Sequence, residues 1–416
     1  MALMCPKDWV IVNQAESKRR KLMSSSNKLS RRTFIRNTSL MGLGTIAGAL
    51  AGKGCTTSYR NTTGEAVDTS KILNYNPKMA YRRLGKTGLM VSEVSLGGHW
   101  TNREGHRYWL DFANDEVPDD VAKNRTEVIS RCIEHGINYL DITTSAECLS
   151  YGAALKGRRE KMYVAADDCE LCVRHEQYRN VKGQMANIEA CLRRLGTDYL
   201  DVWRPQFKQA GGHSDGDIEL CVVVFEKART QGKVRWLGMS SHNRDFVQHL
   251  IEKFPQYSVA TFPYTAKSKV KPADIRSIDP KQVVELGAGD AAYSGDTRKS
   301  VFEAVRKHDI GVITIKPFGG GGLFRTHLKF GTKTDSTETD YELARLTLAY
   351  ILCNGAISAT IPGMTTVDEV DNNVRASAER LALLDQNGMW KLYEATEQMW
   401  ANFPNDYCWL RDWEWV

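Results

Sequence analysis

The chain has 416 residues, 42% of them hydrophobic and 25% charged, the balance of a globular protein with enough apolar surface for a large core. Its formal net charge is +6, with Lys18, Arg19, Arg20, Lys21, Lys28, Arg31 and Arg32 crowded near the N-terminus, so the remainder is too balanced for a nucleic-acid-binding face. Ten cysteines over this length exclude a disulfide scaffold as the source of stability.

Ser30-Arg31-Arg32-Thr33-Phe34-Ile35-Arg36 precedes an apolar run from Leu40 to Ala51 that is rich in Gly and Ala and free of acids. The run is shorter than the roughly 20 residues that span a bilayer, and it ends in Ala47-Gly48-Ala49-Leu50-Ala51, which offers A-x-A cleavage sites. It resembles a twin-arginine signal, so residues 1–55 are set apart from the fold. The mature protein is expected in the periplasm without a transmembrane span. Cys55 offers a lipid anchor, although Gly52-Lys53-Gly54 makes a poor lipobox, and Met23 is an alternative start.

Residues 56–79 read as a linker, and residues 80–92, with Gly85-Lys86-Thr87-Gly88 in the middle, as a hairpin on a barrel floor. From about 92 to 380, short β-branched or aromatic runs alternate with amphipathic stretches such as Val181 to Leu195 and Asp217 to Thr230, the mark of repeated βα units. Eight strands are predicted. They centre on Val94-Ser95-Leu96, Tyr139-Leu140-Asp141, Tyr163-Val164-Ala165, Leu200-Asp201-Val202, Val234-Arg235-Trp236, Val259-Ala260-Thr261, Val312-Ile313-Thr314 and Ser358-Ala359-Thr360. The fold class is therefore α/β, a (β/α)8 TIM barrel over residues 80–380. Residues 381–416 follow as a C-terminal helix and aromatic tail. Long loops at 101–121 and 266–297 fall on the catalytic face of such a barrel.

Six stretches in order are similar to the aldo/keto reductase family: Tyr81 to Gly88, Gly136 to Asp141, Leu195 to Asp201, Gly238 to Asn243, Lys316 to Leu323 and Ile361 to Met364. The resemblance implies hydride transfer between a nicotinamide and a carbonyl, with a tyrosine as general acid, a lysine that lowers its pKa, an orienting aspartate and an assisting histidine. Asp141 matches the aspartate. The tyrosine falls on Ala146, with Tyr151 the nearest substitute; the lysine falls on Asp167 and the histidine on Gln206. Without the cation a tyrosine keeps a pKa near 10, so the family chemistry is expected to be altered.

The resemblance also implies a dinucleotide site, NAD or NADP. Gly319, Gly320, Gly321 and Gly322, behind Lys316-Pro317, would let backbone approach a pyrophosphate. Ser240 and Ser241 match the carboxamide-holding position, whose glutamine partner falls on Thr261. Gly363 and Asn373 match the far end of the site. Glu369 stands where an arginine would grip a 2′-phosphate, so NAD is favoured.

Asp141 and Asp167 at the barrel mouth are open to three readings: an acid/base pair, a metal between them, or carboxylates satisfied by backbone N–H groups or by Arg204. Cys169-x-x-Cys172, with Cys148 and His175, could ligate zinc, but a disulfide among these cysteines is the simpler expectation after export, and a metal is not expected. His99 could face the mouth or line the core. The tail from Trp400 to Trp415 could stack on sugar rings or a partner, or pack on the barrel's outside.

Three functions follow: a NAD(P)-dependent oxidoreductase acting on a carbonyl or sugar-like small molecule, a redox-neutral NAD-dependent glycoside-processing enzyme, and a non-catalytic carbohydrate- or partner-binding barrel.

Overall fold

Short runs buried on both faces, the mark of parallel strands covered by helices, set the architecture. The structure, a computed structural model, describes residues 59–60, 66–98, 115–269, 299–324, 336–403 and 405–416, all within one unit, Gly52–Val416. The twin-arginine segment, Cys55, His99 and most of the two long loops lie outside the described residues.

After a two-residue ladder of β1 (Tyr59–Arg60) with β2 (Ala66–Val67), the antiparallel pair β3 (Tyr81–Arg83) and β4 (Met90–Ser92) forms the expected hairpin. Seven parallel strands follow: β5 (Tyr139–Ile142), β6 (Tyr163–Ala166), β7 (Leu200–Trp203), β8 (Val234–Ser240), β9 (Val259–Pro263), β10 (Gly311–Ile315) and β11 (Ala359–Thr360). They lie side by side in chain order. The extended segment around Val94–Leu96 joins the two edges, Val94 bridging to Thr360 and Leu96 to Leu140, both parallel. The Ser95 N–H donates to Thr360 O at 3.0 Å and the Leu96 N–H to Tyr139 O at 3.1 Å. All eight expected staves are therefore present, and the barrel closes.

A helix follows each stave: α1 (Asp119–Glu134), α2 (Ser145–Ala154), α3 (Val181–Leu195), α4 (Asp215–Thr230), α5 (Arg244–Lys253), α6 (Val301–His308), α7 (Glu338–Ile351) and α8 (Val367–Ala378). All but α1, which starts after Pro118, begin at a side-chain cap, since the first N–H groups lack intrahelical partners. Asn180 caps α3 and Ser214 closes a capping box on α4.

Because side chains alternate along a strand, each stave sends one set of residues inward and one outward. Tyr139, Ala165, Val202, Val259, Ile313 and Ala359 fill the lower interior together with Leu84 and Val91 of the hairpin. The outward set, including Leu140, Val164, Trp203, Leu237, Ala260 and Phe262, packs on the helices. Each of the larger aliphatic and phenyl side chains contributes roughly 1.5–3 kcal/mol by burial. At the floor, buried Arg82 pairs with Glu93 at 2.7 Å and donates to Leu352 O, Asn354 O and Ile357 O just past α7, where a helix end leaves carbonyls to satisfy.

The expected linker at 56–79 is more integrated than a tether. Ile72 and Met79 are buried, and the Asn74 side chain donates to Ile137 O and Lys161 O. At the other end, α9 (Arg380–Leu383) and α10 (Gln386–Ala401) lead into a 3-10 segment, Asn405–Trp413. Trp413 is fully buried, stacks on Phe262 with centroids 5.2 Å apart, and donates from Nε1 to His242 O at 2.7 Å. Of the two readings of the tail, packing on the outside of the barrel holds for Trp413.

Candidate active site at the barrel mouth

One step above the lower interior layer, the same inward register brings up Asp141 from β5, Arg204 just past β7, Ser240 from β8 and Thr261 from β9, while Asp167, just past β6, is buried beside them against Trp203 and Asn187 of α3. Three charged side chains on neighbouring staves are thereby buried together. Arg204 meets Asp141 as a fork, Nε to Oδ1 at 2.7 Å and Nη2 to Oδ2 at 2.9 Å, and Nη2 also donates to Ile142 O at 3.1 Å. Bidentate pairing of this kind fixes both planes. Burial pushes the Asp141 carboxyl up while Arg204 pulls it back.

Asp167 is fully buried and accepts three N–H bonds, from Asn187 Nδ2 at 2.9 Å, Trp203 Nε1 at 3.0 Å and the Gln206 backbone at 3.0 Å. Burial raises its carboxyl to about 7 against the pull of Arg204 and these donors. The Gln206 side chain donates to Thr143 O and Asp167 O, so it braces the loops of β5 and β6. Of the sequence alternatives for the two acids, satisfaction by Arg204 describes Asp141, and satisfaction by N–H donors describes Asp167.

Ala146 occupies the first turn of α2 and is buried, so no phenol stands there. Tyr151, one turn beyond, is fully buried, donates to Gly97 O at 3.3 Å, and is pushed well up by desolvation. That shift disfavours ionisation rather than easing it.

Lys316, at the end of β10, adopts a left-handed backbone with φ of 60°, a conformation that costs a non-glycine residue roughly 1 kcal/mol or more. Desolvation and the nearby Arg174 lower its ammonium to about 8, against the pull of Glu147. Sequence reasoning missed Glu147 and Arg174. Thr144-Ser145-Ala146-Glu147 reads as a capping box, and Thr144 does cap α2, but the Glu147 carboxylate accepts instead from the Thr143 N–H at 2.6 Å. Trp203 and Asn187 were equally hidden, because one is an outward strand residue and the other a helix residue whose reach to Asp167 is purely tertiary.

On the cofactor side, Ser240 and Thr261 are register partners on adjacent strands. Thr261 Oγ1 is buried with no hydrogen-bond partner among the described residues. Ser241 donates to Lys208 O at 3.3 Å and accepts from the Asn243 N–H at 3.1 Å. Gly319 and Gly320 have φ of 56° and 67°, and Gly321 has 92°. A Cβ on Gly319 would stand 2.6 Å from Met399 Sδ and 3.1 Å from Phe403, whereas one on Gly321 would meet nothing within 4 Å. The glycine run is thus clamped by α10 on one side and open on the other. Gly363 is exposed after β11, and Asn373 is buried in α8, accepting from Asn372 at 3.1 Å. Glu369 accepts from the Thr365 and Thr366 N–H groups at the start of α8.

Cys148, Cys169 and Cys172 are all buried free thiols, and Cys172 donates to Cys169 O at 3.1 Å. The expected disulfide among them is not formed. Among the described residues, no group of three or more His, Cys, Asp or Glu side chains is placed to hold a metal ion.

A closed parallel barrel with a charged inner layer and a glycine loop at its C-terminal face is the architecture of a TIM-barrel enzyme site. Comparison with known proteins narrows the class. The aldo/keto reductase family model matches residues 112–389, and the chain belongs to that family. It is 23% identical over 332 residues to L-galactose dehydrogenase of Arabidopsis thaliana, an alignment covering 74% of this chain and 92% of that one. It is 25% identical over 230 residues to 6-dehydroglucose reductase of Novosphingobium aromaticivorans, covering 52% and 68%. Among solved structures, the holo form of a Bacillus halodurans aldo-keto reductase aligns with a TM-score of 0.50 at 21% identity, over 76% of this chain and 96% of that one. A Klebsiella pneumoniae aldo/keto reductase in complex with NADP and acetate aligns with a TM-score of 0.50 at 18% identity, over 74% and 94%.

Proposed function

We propose that the chain is a nicotinamide-dependent oxidoreductase acting on a carbonyl or alcohol carbon of a sugar-like substrate, with NAD preferred to NADP. The observation that carries this reading is the polar pair Ser240 and Thr261 on the inner wall, with a buried hydroxyl of Thr261 left unpartnered. A buried polar atom without a partner is costly, and a carboxamide would satisfy it. The open side of Gly321 leaves room for a pyrophosphate, so the residues present fit a dinucleotide. When bound, the nicotinamide supplies the hydride chemistry.

The chain's own residues do the rest. Asp141 and Arg204 keep a fixed carboxylate–cation pair at the mouth. Lys316, whose ammonium is lowered to about 8 beside Arg174 and Glu147, is the proposed holder of a proton for the substrate oxygen, the role that the family resemblance gives to a tyrosine. The printed names of two relatives, a dehydrogenase for L-galactose and a reductase for 6-dehydroglucose, support a sugar. The Glu369 carboxylate at the α8 start would repel a 2′-phosphate, which supports NAD. A redox-neutral glycoside reaction is the second reading, favoured by an Asp167 carboxyl held near 7. The sequence signal supports export by the twin-arginine route, with Cys55 as the candidate lipid anchor.

Binding of NAD and NADP, followed by tryptophan fluorescence, tests the cofactor. NAD is expected to bind at least about tenfold tighter, a difference of ~1.4 kcal/mol, and Glu369→Arg should reverse the order. Absence of binding at millimolar NAD overturns the reading. Lys316→Met should abolish turnover of sugar aldehydes while sparing NAD affinity, and net NADH change per turnover separates the two reactions.

A further inference from the structure

Helices α2 and α3 approach more closely than ordinary side chains allow. A Cβ on Gly152 of α2 would stand 2.5 Å from Arg194 O and 2.9 Å from Leu195 Cα of α3, so only glycine lets the two backbones meet. Both helices follow parallel neighbouring strands in successive βα units, and they run in the same direction. One turn back from Gly152 is Cys148, and one turn back from Leu195 is Cys191. Each lies four residues earlier on the same face of its helix. The contact register therefore sets the two cysteines opposite each other, and both are buried free thiols. The Cys191 thiol is the largest influence on that of Cys148, which is raised well above its ordinary range.

The pair also touches the mouth. Cys191 donates to Asn187 Oδ1 at 3.6 Å, and the same oxygen accepts from the Asp168 N–H at 3.1 Å. Asn187 Nδ2 in turn donates to Asp167 Oδ1 at 2.9 Å.

We propose that Cys148 and Cys191 are a disulfide-forming pair that staples α2 to α3 and, through Asn187, links thiol oxidation to the packing around Asp167. The oxidant is a small-molecule disulfide. One thiolate attacks it, displacing a thiol and forming a mixed disulfide; the second protein thiolate then attacks the protein sulfur of that intermediate and displaces the other thiol. One Sγ–Sγ bond forms in the chain, one S–S bond breaks in the oxidant, and two protons and two electrons pass to it. The two thiols are sealed between the helices, and that of Cys148 is held well above its ordinary range, so the bond forms as the chain folds or when the helices part. Oxidation removes the S–H that Cys191 gives to Asn187.

The test is peptide mapping of the full chain, refolded from urea with oxidised glutathione and digested without reductant; mapping the chain synthesised in the presence of the same oxidant avoids the refolding step. A peptide bearing Cys148 is expected joined to one bearing Cys191. The oxidised protein should melt on the order of 5 °C above the reduced form, because the link closes a long loop in the unfolded chain. Cys191→Ala or Cys148→Ala should lose both signals, and Cys169→Ala should keep them. Cys148 joined to Cys169 or Cys172, or both Cys148 and Cys191 recovered as free thiols, overturns the proposal.

Discussion

Asp167→Asn isolates the electrostatic cost of the mouth. In the folded chain burial raises Asp167 from an ordinary value of 3.8 to about 7, so between those values the native state holds a proton that the unfolded chain has released. Stability then falls as pH rises through this window, because the slope follows protons bound unfolded minus protons bound native. A shift of about three units at ~1.4 kcal/mol each gives up to about 4 kcal/mol lost between pH 4 and pH 8. Asparagine cannot titrate and removes this component. Urea unfolding at several pH values measures it: the stability of wild type minus that of Asp167→Asn should drop across the window by up to that amount. All other titrating groups cancel in the difference to the extent that they do not touch Asp167. Parallel curves for the two proteins would refute the argument, since they would mean that three N–H donors and Arg204 hold Asp167 ionised throughout.

Arg204→Met leaves Asp141 and Asp167 buried without their cation, and should cost about 3–5 kcal/mol at pH 8, with partial recovery at pH 5, both read by urea unfolding. Gly319→Ala combines a positive φ with contact at Met399 and should lose roughly 2 kcal/mol or more, whereas Gly321→Ala, in open space, should lose about 1 kcal/mol for strain alone; equal losses would deny the clamp by α10. Trp413→Ala empties a fully buried site stacked on Phe262 and should cost about 3–5 kcal/mol in thermal unfolding, which a tail merely resting on the surface would not do.

The barrel was legible because strand alternation and helix periodicity are local signals. Val94, Tyr139, Tyr163, Leu200, Val234, Val259, Val312 and Ser358 mark staves that the structure pairs in the expected order, with Val94–Leu96 joining by isolated bridges. The absent phenol at Ala146 and the acid at Asp167 could also be read, since they need only alignment to the family pattern. What surrounds them could not. Arg204 lies 63 residues from Asp141 in sequence, and nothing local says that its guanidinium pairs with that carboxylate. The same holds for Asn187 and Trp203 on Asp167, for Lys316 near Glu147 and Arg174, and for Cys148, whose neighbour is Cys191 rather than the CxxC nearby.

Sequence by itself determined the order of the staves, the helical stretches between them and the family, because each is written in local spacings or in contiguous motifs. Tertiary structure alone decided the charge pairing, the raised and lowered proton affinities, the clamp of Met399 and Phe403 on the glycine loop, and the meeting of α2 with α3 at Gly152. Those depend on distances across the closed barrel and on burial from water, and a linear pattern carries neither.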